Sequence, residues 1–96
     1  MNLQDMIYNW LTIDVVLKAR PDDDAARETM QLFINMLQEE HRVQHVSYEK
    51  KEEWYEVSFM QGEKERSYRF PNEMIEQLLV EIEANPKMYT IKNSDD

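Results

Sequence analysis

The sequence predicts an α+β fold: an N-terminal helical hairpin, an antiparallel three-stranded meander sheet, and a third helix packed on the same sheet face. Three observations carry this expectation. Apolar residues recur at helical spacing to about residue 40, alternate with polar ones from 43 to 70, and return to helical spacing from 74 to 82. The single glycine, Gly62, sits inside the alternating part, where a hairpin needs a turn. Pro21, Pro71 and Pro86 fall at the joints between these segments.

In the first segment Leu3, Met6, Ile7, Trp10, Ile13 and Leu17 form a stripe, Asn2 is placed to cap it, and Arg20-Pro21 ends it. A helix over about 2–19 follows. The β-branched run TIDVVLKA also alternates, so a strand over 12–19 is the competing reading, and it would give a ferredoxin-like arrangement. The acids Asp22, Asp23 and Asp24 supply the cap and first turn of a second helix. Its apolar side is wide, with Ala26, Met30, Phe33 and Leu37 joined by Leu32, Ile34 and Met36, which predicts the central helix of the fold.

Beyond His41 the period becomes two. VQHVSYEK (43–50) and WYEVSFMQ (54–61) read as strands, with Val46, Tyr48, Tyr55, Val57 and Phe59 on one face. With Gly62 and Glu63 as the central residues of a type II′ turn, Val57 falls opposite Tyr68, Tyr55 opposite Phe70, Glu56 opposite Arg69 and Ser58 opposite Ser67. A slip of one residue would set apolar against polar positions. Asn72 after Pro71 is placed to cap a third helix whose stripe is Met74, Ile75, Leu78, Leu79 and Ile82, with Pro86 as its stop. KMYTIK (87–92) has the composition of a short edge strand. The whole reads as one domain over 1–92 with a flexible end at 93–96.

Composition narrows the function. Residues 1–41 carry a net charge of −5, residues 42–69 of 0 and residues 70–96 of −4, so neither nucleic acid nor an anionic membrane is the expected ligand. No cysteine is present, which excludes thiolate chemistry and is consistent with a reducing cytoplasm. One glycine cannot build a phosphate-cradling loop. The N-terminal segment does not read as a signal peptide, and no apolar run reaches the length of a membrane span.

Several constellations have ordinary explanations. His41 and His45, with Glu39 or Glu40, have a spacing that zinc sites use, but the gap crosses a predicted helix-to-strand junction. His45, Ser47 and Glu49 carry triad residue types on one strand face, where alternate side chains diverge into solvent. Asp14 pairs naturally with Lys18 at i,i+4. No catalytic, cofactor or metal site is therefore assigned. Two surfaces remain as candidates for a partner protein. The third helix offers Glu73, Glu76 and Glu83 around Val80, an apolar centre with an acidic rim, and the open sheet face offers Trp54, Glu56 and Arg69.

The run WLTIDVVLKARPDDDAARETM (10–30) resembles small cytosolic proteins of unknown function from Bacillus-type bacteria, a resemblance that covers about the first forty residues. It implies a bacterial cytoplasmic protein and carries no activity. The reading is a non-catalytic, acidic interaction or regulatory protein that needs no cofactor. Its partner would be an unidentified protein with a basic surface, or a second copy in a homodimer. The alternatives are an acidic mimic of nucleic acid that inhibits a basic protein, and a small ligand-binding protein or enzyme.

Overall fold

A computed structural model describes residues 2–84. The elements run α1 (Leu3–Ala19), α2 (Asp24–His41), β1 (Val43–Lys50), β2 (Trp54–Gln61), β3 (Lys64–Pro71) and α3 (Asn72–Ala84). The strands form one antiparallel sheet in the order β1-β2-β3. The α+β reading holds, and 12–19 is helical, which removes the ferredoxin-like alternative. The stop at Pro86, the strand over 87–92 and the end at 93–96 lie outside the described residues.

The caps of the first two helices follow the sequence. Asn2 Oδ1 accepts the Asp5 amide at 2.8 Å, and Asp23 Oδ1 accepts the Ala26 amide at 3.0 Å, each satisfying one free donor of a first turn. Asp14 and Lys18 pair at 3.5 Å. The third cap differs. Asn72 donates through Nδ2 to the carbonyls of Glu52 (2.9 Å) and Lys51 (3.4 Å), and so clasps the β1–β2 loop instead of accepting from its own helix.

The central helix is α1, not α2. It buries Met6, Ile7, Trp10 and Leu11 on one side and Thr12 and Val16 on another, as a helix with neighbours on several sides must. α2 buries only the narrow stripe Ala26, Met30 and Leu37, and leaves Leu32 56 % exposed. Counting apolar residues overstates its burial, because Phe33, Ile34 and Met36 flank the stripe and are only half covered. The main core joins α1 to Val43, Tyr55, Val57, Phe59 and Phe70 of the sheet and Ile75 of α3. Edge-on contact of Trp10 with Tyr48 (5.8 Å between centroids) seats α1 on the sheet. A second cluster, Val16, Ala26 and Ile82, closes the helical layer. Met74, expected in the core stripe, is 45 % exposed, one position off the side that Ile75 and Ile82 bury.

The β2–β3 register is the expected one over its whole length, from Gln61 opposite Lys64 to Trp54 opposite Pro71. Gly62 has φ +63°. Among the described residues the only other positive φ values belong to Arg42 and His45, so the turn has its single left-handed residue at the first central position, as type II′ requires. Arg42 (φ 58°) is the left-handed C-cap of α2, and its carbonyl accepts the Gly62 amide at 3.3 Å. Gln61 Nε2 donates to the His41 carbonyl at 3.0 Å, so the hairpin tip is tied to the end of α2.

Candidate interaction surface

Strand parity and register define the sheet face that no helix covers among the described residues. Read across β1, β2 and β3, its rows are Gln44–Met60–Glu65, Ser47–Ser58–Ser67 and Glu49–Glu56–Arg69, and Trp54 lies opposite Pro71 at the end. The outward residues of the middle strand, Trp54, Glu56, Ser58 and Met60, are half buried. Parity also sorts the charges. The charge-balanced middle of the chain becomes an outer face carrying Glu49, Glu56, Glu65 and Arg69, with Lys51 pairing to Glu49 at 3.1 Å, while Lys50, Lys64 and Arg66 fall on the other side.

Arg69 is the organising group of this face. Its guanidinium lies 4.9 Å from the centre of the Trp54 ring and its Nε is 3.7 Å from Glu56 Oε2. Stacking on one side and an ion pair on the other hold the side chain in one place, although it remains largely exposed. Trp54 Nε1 is shielded from solvent and finds no acceptor among the described residues. Glu53, Trp54, Arg69, Phe70 and Pro71 line a shallow open depression at this corner. The sequence-predicted trio Trp54, Glu56 and Arg69 is thus brought together.

The helical candidates are divided. Glu76 is not part of a free acidic rim. It is half buried, accepts the Tyr55 hydroxyl at 2.5 Å and pairs with Lys50 Nζ at 2.7 Å. The Lys50 contact, then the Tyr55 hydrogen bond, hold its carboxyl below the usual carboxylate range, while burial opposes them. Burial, followed by the bond to Glu76, pushes the Tyr55 hydroxyl far above its ordinary value. Val80 is 60 % exposed and Glu73 and Glu83 are exposed on the same flank, where Glu73 borders a second depression that shares Glu53 and Pro71 with the one beside Trp54. That Lys50 and Tyr55 hold Glu76 is not foreseen from the sequence. Their inward parity on adjacent strand ends was the available signal.

The histidine constellations come apart. β1 pairs with β2 through Gln44–Met60 and then Ser47–Ser58, so His45 and Val46 together oppose Phe59 in a bulge, with His45 at φ 56°. His45 therefore does not continue the face of Ser47 and Glu49, and the expected alignment of the three is broken. Among the described residues no group of three His, Cys, Asp or Glu side chains could hold a metal ion, and no helix is long and apolar enough to cross a membrane. The class defined by the structure is a three-stranded α+β domain with one sheet face left uncovered by the described residues. Comparison with family models, with curated proteins and with solved structures returned no match to this chain.

Proposed function

We propose that the chain is a non-catalytic cytoplasmic interaction protein that docks a partner on the outer face of its sheet, with Trp54 and Arg69 as the anchor. The carrying observation is Arg69 fixed between Trp54 and Glu56 on a face that the described residues leave uncovered. Trp and Arg supply binding energy out of proportion to their number, and a side chain already held in place loses less entropy on docking. On this face Glu56 pairs with Arg69 and Glu49 with Lys51, so among the described residues Glu65 is the carboxylate left to meet a basic group of the partner. α3 is the secondary surface, because Glu76 is engaged within the fold.

Capture of partners from the native cytosol with three baits tests the proposal. The native chain and Val80→Lys are expected to retain the same specific partner, and Trp54→Ala to lose it. Retention by Trp54→Ala with loss by Val80→Lys would move the site to α3. Retention by both variants would reject both surfaces.

A further inference from the structure

We propose that two copies of this chain join through their β3 edges in an antiparallel pair centred on Ser67, so that two three-stranded sheets become one of six strands. The two edges of the sheet are unlike. β1 is interrupted by the bulge at His45, a device that blunts an edge, whereas β3 keeps unbroken register with β2 over all eight residues. Among the described residues no further strand lies beside β3.

Backbone direction selects the residues that would pair. The two-residue turn makes Gln61 and Lys64 a mutually hydrogen-bonded pair, so Lys64, Arg66, Tyr68 and Phe70 direct their N–H and C=O groups at β2. The groups of Glu65, Ser67 and Arg69 therefore point to the free edge. Centred on Ser67, a twofold pair sets Glu65 opposite Arg69 of the second copy, twice, and Arg66 opposite Tyr68 of the second copy, twice. Arg69 would then stand between Glu56 of its own chain and Glu65 of the other. The smallest side chain of the strand lies at the twofold.

Neighbouring registers are worse. Centring on Arg66, Glu65 or Arg69 opposes like charges, and centring on Tyr68 spends the Glu65 position on Pro71, which has no N–H to donate. The self-complementary charge pattern therefore selects both the occupant, a second copy, and its register. The twofold axis runs perpendicular to the sheet, so the dimer presents two Trp54–Arg69 surfaces on the same side. The pairing does not depend on those surfaces having a partner.

Sedimentation equilibrium of the native chain is expected to give twice the monomer mass. Ser67→Pro removes an N–H that faces away from β2, so it should return the mass to that of one chain and abolish the concentration dependence of melting while circular dichroism stays unchanged. Because the chain has no cysteine, Ser67→Cys supplies one thiol, and opposed Cα atoms about 5.5 Å apart in such a pair are within disulfide range. Mild oxidation should convert Ser67→Cys to a covalent dimer and leave Ser47→Cys, on the bulged edge, monomeric. A native chain that sediments as a monomer up to millimolar concentration would overturn the proposal. So would a dimer that survives Ser67→Pro, or equal cross-linking of the two cysteine variants.

Discussion

The Tyr55 hydroxyl donates to Glu76, 21 residues further along the chain, and with Lys50 it locks α3 to the end of the sheet. Hydrogen bonds to a charged group contribute about 1.5–3 kcal/mol when well shielded, and this one is partly shielded. Tyr55→Phe, which keeps the ring beside Tyr48, is expected to cost about 1–2 kcal/mol in urea unfolding. The pH dependence has a defined sign. Glu76 has a lowered folded pKa, so its stabilisation is complete above the unfolded carboxylate value of about 4.3 and is lost as pH falls through the lower folded value. Tyr55→Phe removes one cause of the lowering and should move that acid loss to higher pH. Acid-unfolding curves that superimpose would show that the contact contributes nothing.

Gly62 at φ +63° should not tolerate a β-branched side chain. Gly62→Val is expected to cost more than about 1 kcal/mol, and Glu63→Gly much less. The cost is in the backbone, because a Cβ at this position would meet only the end of the Arg42 side chain at an ordinary 3.9 Å. Helical circular dichroism should persist in both variants. Equal, negligible losses would exclude a type II′ turn.

Asn72 separates a clasp from a cap. If its side chain acted by accepting an amide, Asp would serve as well as Asn. It donates to two carbonyls instead, so Asn72→Asp should be more destabilising than Asn72→Ala, by about 1 kcal/mol, since a carboxylate would face carbonyl oxygens without a proton to share. Thermal melts of the two variants decide the order.

His45 holds a left-handed conformation without being glycine. His45→Gly should therefore stabilise the chain by about 0.5–1 kcal/mol, after allowing for the greater freedom of glycine when unfolded, whereas His45→Ala should gain nothing. A loss in His45→Gly equal to that of His45→Ala would mean the bulge carries no backbone strain.

These cases divide what the sequence could disclose from what it could not. The β2–β3 register was legible because one glycine and four cross-strand pairs agreed on it, and a slip of one residue would set apolar against polar positions. The bulge was not, because nothing marks His45 as left-handed; only the three-residue step from Val43 to Val46 hinted at it. Helix existence was legible from period and caps, but helix rank was not. Apolar width made α2 look central, while burial on several sides, which depends on the tertiary neighbours, belongs to α1. Among the candidate residues, Trp54, Glu56 and Arg69 came together because strand parity and register fix them. Glu76 fell away because its partners lie 21 and 26 positions back in the sequence.

The outer face carries two oxidisable side chains, Trp54 and Met60, and the exposed side of α3 carries another, Met74. Hydroxyl-radical footprinting of the chain with and without its captured partner therefore reads the sheet face and α3 in one measurement. Docking on the sheet predicts that Trp54 and Met60 become protected while Met74 keeps its reactivity. Protection of Met74 with Trp54 and Met60 unchanged would contradict the assignment of the sheet face as the working surface.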